Sequence, residues 1–188
     1  MSNMSNMSNM TLCNKTEYVV QFVVKQGQLA VARLPGIEPN TVMLVPIENA
    51  YEVTATAIID GNTYTSAPLD VSGPTGFLAQ VLQVRSQGTY EFNVEEIPSR
   101  NPNQLQFQKT CLSPVTFTIT KNGRPLQTVV VSDSFEVQTV NIGDTFSIYA
   151  VVNGVATDTL VTSTPTVTVT ALMDTSDLEH GYATLELS

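Results

Sequence analysis

Polar and apolar residues alternate along much of this chain, which is the pattern of strands that bury one face. Residues 115–119 read Val-Thr-Phe-Thr-Ile, and residues 166–170 read Thr-Val-Thr-Val-Thr. Successive side chains of a strand point to opposite faces, so these segments would bury apolar side chains and expose hydroxyl groups. No longer stretch has the apolar spacing of an amphipathic helix. The sequence therefore predicts an all-β protein.

The alternating segments are short and are separated by residues that favour turns. Asp60-Gly61, Asn122-Gly123 and Asn153-Gly154 predict two-residue hairpin turns, since Asp, Asn and Gly tolerate positive φ. The predicted strands lie near 17–25, 28–34, 40–47, 50–59, 62–70, 77–85 and 88–96, and then near 114–121, 125–131, 134–140, 145–152, 155–162, 165–173 and 181–187.

The two sets of strands come from similar halves of the chain. Gly61 and Gly154 lie 93 residues apart, as do Gly88 and Gly181, and each half begins close to a cysteine. The sequence predicts an internal duplication with a low-complexity N-terminal arm at 1–10, copy one at 11–96, a Pro/Asn linker at 97–108 and copy two at 109–188. Seven short strands in each copy favour two tandem antiparallel β-sandwich domains, jelly-roll or immunoglobulin-like.

Strand phase also predicts the core. Alternating apolar side chains on one face of each strand should meet between the two sheets of a sandwich. The side chains expected to be largely buried are Val20, Phe22, Val53, Ala55, Phe92, Phe117, Ile119, Phe146, Ile148 and Leu185.

Charge excludes some partners. The chain has 8 basic and 17 acidic side chains, a net charge of −9, and no cluster of Lys and Arg. Nucleic acid is therefore an unsuitable partner, because binding it needs grouped cations. No apolar stretch approaches the roughly 20 residues that span a bilayer. Residues 1–10 lack the features of a secretory signal peptide, so we expect synthesis in the cytoplasm. Three final locations stay open: the cytoplasm, release by another route, or assembly on a cell, spore or virion surface.

Candidate chemistry is sparse, and we expect no enzymatic activity and no cofactor. His180 is the only histidine, and its polar turn predicts a turn substituent rather than a catalytic base. Asp174, Asp177 and Glu179 are acidic residues of the same turn; calcium is an alternative, but a solvated turn explains them, so we predict no metal site. Few aromatic side chains remain for stacking on a glycan, so no feature supports a glycan partner.

These observations favour a non-enzymatic structural protein that self-assembles into a fibre, coat or surface array. In architecture alone, the arrangement resembles subunits of bacterial surface fibres or virion decorations; no residue motif identifies a family. Assembly would use the arm and strand edges such as 164–170, which has no lysine. The residues expected at contacts between subunits are Met4, Met7, Met10, Cys13 and Cys111.

The alternative is a soluble binding module, such as a lectin or a toxin component. It would use loops at one end of the sandwiches, for example residues 35–39 and 72–76.

Overall fold

The computed structural model of this chain describes residues 8–47, 50–121 and 123–188. Within these residues the chain forms eighteen strands and one short 3-10 helix, with no α-helix. The predicted all-β class is confirmed. The chain forms two compact units: unit 1 comprises residues 1–48 and 143–188, and unit 2 comprises residues 49–142.

Unit 1 is built from two sheets whose strands come from both ends of the chain. The first has the order β18-β17-β1-β4; the second has the order β15-β14-β2-β3, with β16 also paired to β14. The strands are β1 (Ser8–Asn14), β2 (Val20–Gln26), β3 (Leu29–Arg33), β4 (Thr41–Ile47), β14 (Phe146–Val152), β15 (Val155–Ala156), β16 (Leu160–Thr162), β17 (Thr168–Met173) and β18 (Ala183–Leu187).

The core of unit 1 lies between these two sheets. Met10 and Leu12 of β1 belong to the same buried cluster as Phe22 of β2, Ile148 of β14 and Val169 of β17. Each strand places alternate side chains in this cluster, as the two-residue period of a strand requires. The arrangement is consistent with a β-sandwich.

Unit 2 also contains two sheets. One has the order β13-β10-β8-β9; the other has the order β12-β11-β5-β6, with β7 also paired to β5. The strands are β5 (Ala50–Ile59), β6 (Asn62–Thr65), β7 (Leu69–Ser72), β8 (Gly76–Val84), β9 (Thr89–Ile97), β10 (Gln104–Lys109), β11 (Val115–Lys121), β12 (Arg124–Val131) and β13 (Gln138–Asn141).

Three aromatic rings connect the sheets of unit 2. Phe77 of β8 and Phe107 of β10 stack at 5.2 Å between ring centroids. Phe107 also meets Phe117 of β11, from the other sheet, at 5.0 Å and an angle of 53°. All three rings are fully buried, so they fill the space between the sheets.

The predicted hairpin turns have the expected backbone. Asp60 and Gly61 have φ angles of 52° and 79°, and Asn153 and Gly154 have φ angles of 53° and 76°. Positive φ at both central residues is the requirement of a type I′ turn. Asn122, at a further predicted turn, lies outside the described residues.

The predicted domain boundaries differ from the structural units. Each unit combines strands from the predicted copy one, 11–96, and copy two, 109–188. Alternation identifies strands but not their partners. The predicted linker 97–108 contains most of β10, and the predicted arm 1–10 contains the start of β1.

The predicted antiparallel pairing has one exception in each unit. β1 runs parallel to β17, and β10 runs parallel to β8. Parallel neighbours need long connections, which the intervening chain provides. The predicted edge 164–170 also differs from the structure, because β17 pairs with β1 on one side and β18 on the other.

The core predicted from strand phase is buried at nine of its ten positions. The exception is Phe92, which is half-buried. Its strand, β9, pairs with β8 in a long hairpin, and Val94 is the buried residue of β9. Phe92 has the same strand phase but lies nearer the exposed tip of the hairpin, so it is only partly covered.

Candidate functional site

His180 lies in the turn between β17 and β18 of unit 1. The 3-10 helix Leu178–His180 occupies this turn. Gly181 ends it with a φ of 73°, and the Gly181 N–H donates to the carbonyl oxygen of Leu178 over 3.2 Å. A Cβ at Gly181 would collide with the carbonyl oxygen of Val152. Glycine at this position therefore allows the backbone that directs the His180 side chain.

The imidazole of His180 lies between two carboxylates from different loops. Nδ1 is 2.7 and 2.8 Å from the carboxylate oxygens of Asp177, and Nε2 is 3.0 Å from Oδ1 of Asp158. The hydrogen bond to Asp177 raises the pKa of His180 above its usual 6.5; the negative charges of Asp158, Asp177 and Glu179 add to this effect and partial burial opposes it. The His180 imidazole thus connects the loop after β15 to the β17–β18 turn.

In this arrangement His180 acts as an electrostatic clamp between two loops. The side-chain donor atoms of Asp158, Asp177 and His180 lie within 4.8 Å of one another, a spacing that would also fit an ion. However, a general base needs a ring nitrogen that faces a substrate, and both nitrogens here face carboxylates.

A buried lysine joins two loops of unit 2. Nζ of Lys109, at the end of β10, donates to the carbonyl oxygens of Cys111 over 2.8 Å and of Leu112 over 3.3 Å. It also lies 3.5 Å from Oγ of Ser134, whose hydroxyl donates to the same Cys111 carbonyl. The buried ammonium group thereby connects the β10–β11 loop to the β12–β13 loop.

Two exposed apolar side chains project from these connected loops. Leu112 is 94% exposed and Phe135 is 98% exposed. The Phe135 N–H donates to Oδ1 of Asp133 over 2.9 Å, so its backbone is held by a local turn. We call Leu112 and Phe135 the apolar tip of unit 2. Sequence analysis missed it, because the Lys109 contacts that bring the loops together leave no periodic pattern.

The β4 strand forms a free edge of unit 1. Within the part of the chain that the structure describes, β1 is its only ladder partner. Residues 41–47 carry no charged side chain. Val42 is 60% exposed and Leu44 is 62% exposed, both on the outer face of the sheet. An uncharged edge with exposed apolar side chains is a surface on which another strand can pair.

The backbone of β4 presents hydrogen-bonding groups at this edge. The Thr11 N–H donates to the carbonyl oxygen of Val167, so the odd-numbered residues of β1 face β17 and the even-numbered ones face β4. The backbones of Leu12 and its partner Met43 therefore form a hydrogen-bonded pair, and Val42 and Leu44 on either side do not bond to β1. Val42 and Leu44 consequently direct their N–H and C=O groups outward.

Pro46 has the same phase as Val42 and Leu44. Its missing N–H therefore falls on the free edge, where proline is tolerated in a sheet. The free edge of β4 therefore lacks a backbone N–H donor at Pro46 but keeps the N–H and C=O groups of Val42 and Leu44.

The other long edge strands carry charged residues, β9 along its length and β12 at its first position only. In the described residues, the edge strands with seven or more residues are β4, β9 and β12. β9 carries Glu91, Glu95 and Glu96, and β12 begins with Arg124 followed by a proline. Like charges on two copies of β9 would repel each other, so β4 is the edge best suited to pairing.

The predicted contact residues have different environments. Met10 is fully buried in the core of unit 1, so it is not a surface contact in the folded chain. Cys13 lies within β1 and Cys111 follows β10, so they are not at equivalent places; both are free, half-buried thiols. Met4 and Met7 lie outside the described residues.

Comparison of the chain with protein-family models, curated proteins and solved structures finds no match. Among residues 8–47, 50–121 and 123–188, no helix has the length and hydrophobicity needed to span a membrane.

Proposed function

We propose that this protein is a non-enzymatic structural protein that assembles with copies of itself, and that the β4 edge is one of its contacts. The observation that carries the proposal is the free edge of Thr41–Ile47, with Val42 and Leu44 exposed on it. The clamped imidazole of His180 supports the non-enzymatic part, because neither ring nitrogen faces a substrate site.

A second copy fits this edge by antiparallel pairing. A two-fold axis at Met43 would place Val42 opposite Leu44 of the second copy, and this register would form about four backbone hydrogen bonds. Each cross-strand contact between Val42 and Leu44 contributes roughly 0.2–1 kcal/mol. The contact is self-complementary, as an isologous interface requires.

This pairing changes the expected role of Cys13. Cys13 lies opposite Val42, one strand away from the edge. Two copies of Cys13 would be separated by three strand spacings, about 14 Å. A disulfide joins Cα atoms no more than about 7 Å apart, so Cys13 would not link the paired edges covalently.

Leu44→Lys tests the proposal. The variant should keep its far-UV circular dichroism but lose the larger species that the native chain forms in light scattering, because a lysine at an edge opposes strand addition. Ile58→Lys is the matched control, since Ile58 is 64% exposed on β5 of unit 2. A native chain that is monomeric at high concentration, or an Leu44→Lys variant of native size, would contradict the proposal.

The apolar tip favours a second candidate, a binding module that uses loops at the end of unit 2. Lys109 holds the backbone of Leu112, Asp133 holds that of Phe135, and both side chains are nearly fully exposed. Exposed apolar side chains on loops can insert into a pocket of a partner, whereas they offer no strand edge for sheet extension. A native chain that stays monomeric would favour this candidate over self-assembly. The predicted loops 35–39 and 72–76 belong to different units.

A further inference from the structure

We propose that copies of this chain also join by exchanging the segment that carries β1–β4, so that this segment completes unit 1 of a neighbouring chain. The inference rests on the proposed self-assembly. An isologous edge contact alone closes at a dimer, and a fibre or array needs a second contact.

The first support is that the two units have the same strand order. If β1–β9 correspond in turn to β10–β18, the sheet β18-β17-β1-β4 of unit 1 becomes the sheet β9-β8-β10-β13 of unit 2. The other sheet corresponds in the same way, including the additional strands β16 and β7. The parallel pairs also agree, since β1–β17 corresponds to β10–β8.

The correspondence extends to single hydrogen bonds. In unit 2, the Ala55 N–H donates to Oγ of Ser66 over 2.9 Å, and the Ser66 N–H donates to the Ala55 carbonyl over 2.8 Å. In unit 1, the Ala150 N–H donates to Oγ1 of Thr157 over 3.0 Å, and the Thr157 N–H donates to the Ala150 carbonyl over 2.8 Å.

The side chains opposite these alanines agree as well. Ala55 lies opposite Phe117, and Ala150 lies opposite Phe22. Two unrelated sandwiches would not share this set of contacts, so it supports the internal duplication.

Given the duplication, each unit is a mixture of halves. Unit 1 takes β1–β4 from copy one and β14–β18 from copy two, while unit 2 takes β5–β9 from copy one and β10–β13 from copy two. This is the arrangement of two single copies that have exchanged half of their strands, here within one chain. Domain exchange of this kind is a low-cost route to association, because it preserves every native contact.

The same exchange is open to two full chains. Unit 1 is closed by contacts between β1 and β17 and between β2 and β14, and these strands belong to segments separated by the whole of unit 2. The β1–β4 segment of a neighbour would offer identical side chains to β14–β18. Closure within one chain is favoured when the protein is dilute, and exchange gains as its concentration approaches the millimolar effective concentration of a tethered segment.

A pair of singly substituted full chains tests this exchange. Lys25 of β2 lies directly opposite Ser147 of β14, at a separation that a disulfide can span. One chain carries Lys25→Cys and the other Ser147→Cys, both with Cys13→Ser and Cys111→Ser. The two chains are unfolded together, refolded under mild oxidation at micromolar and at millimolar concentration, and separated on non-reducing gels. Only a unit 1 built from two chains brings these two cysteines together.

The matched control uses a pair within the exchanged segment. Val23 of β2 lies opposite Arg33 of β3, so chains with Val23→Cys and Arg33→Cys should not cross-link to each other. We expect the mixed disulfide of the 25/147 pair to increase about tenfold or more between the two concentrations, with none for the 23/33 pair. No mixed disulfide at millimolar concentration, or equal yields for both pairs, would overturn the proposal.

The edge contact is tested separately in the same experiment. Adding Leu44→Lys to both chains should leave the 25/147 disulfide in place, because exchange does not use the free edge of β4. A decrease in light scattering from larger assemblies to the size of exchanged dimers, with the disulfide retained, would then show that the two contacts are independent. Loss of the disulfide on adding Leu44→Lys would overturn the exchange as a contact of its own.

Discussion

Replacing Phe117 by alanine should remove a large part of the stability of unit 2. The ring is fully buried and lies 5.0 Å from the ring of Phe107, which stacks in turn on Phe77. A buried Phe→Ala change costs about 3–5 kcal/mol, because transfer free energy is lost and a cavity remains. The lost ring pair, worth about 0.5–1.5 kcal/mol, places this change in the upper part of that range. A domain of this size has about 5–15 kcal/mol in total.

Hydrogen exchange measured by NMR would assign the loss to its unit. The Ala55 N–H, bonded to Ser66, reports on unit 2, and the Ala150 N–H, bonded to Thr157, reports on unit 1. We expect exchange at Ala55 to accelerate about a hundredfold or more, with a parallel loss in urea unfolding followed by circular dichroism. Exchange at Ala150 should change far less.

Phe135→Ala is the control, because it makes the same substitution in the same unit at a side chain that is 98% exposed. It should change stability by no more than about 0.5 kcal/mol. A loss below about 1 kcal/mol for Phe117→Ala, or equal losses for both variants, would refute the assignment of the aromatic cluster as the centre of the unit 2 core.

Two further predictions concern unit 1. Because the pKa of His180 is raised in the folded state, its charge should stabilise unit 1 below its unfolded pKa of 6.5, and this contribution should be lost as the pH rises through the folded pKa. In urea titrations at several pH values, His180→Gln should remove this dependence of unit 1 stability on pH. An NMR titration of this single histidine should give a pKa above 6.5. A pKa at or below 6.5 would refute the interpretation of His180 as an electrostatic clamp. Met10→Ala should destabilise unit 1 by about 2–5 kcal/mol, since its side chain is fully buried. Deleting residues 1–10 should cost at least as much by urea titration, and an unchanged stability would instead support the interpretation of these residues as a free arm.

The sequence by itself determined the strands and most of their inward faces. Alternation in a strand is a local property, since each side chain faces opposite to its neighbour whatever the partner strand is. Phe22, Phe117 and Ile148 were therefore assigned to the core correctly. The turns at Asp60-Gly61 and Asn153-Gly154 were equally local, because the backbone freedom of the residues themselves selects the turn.

Strands with a weak local pattern were harder to find. β1 begins in the Met-Ser-Asn repeat, and β10 alternates glutamine with Leu105 and Phe107 behind a proline-containing segment that reads as a linker. Both have buried apolar side chains only because neighbouring strands cover them. Their burial is a property of the assembled sheets, and so is the burial of Met10.

Partner choice was decided by the tertiary structure alone. β2 pairs with β14 and β5 pairs with β11, although each pair joins distant parts of the chain. The same holds for the candidate sites, since Asp158 meets His180, and Lys109 meets Ser134, only after the strands that carry them have packed. The local preference of a segment for the strand conformation is the same for every partner strand that it could meet. Only the complete set of packed contacts distinguishes them, which is why the sequence determined the strands and the fold determined how they are combined.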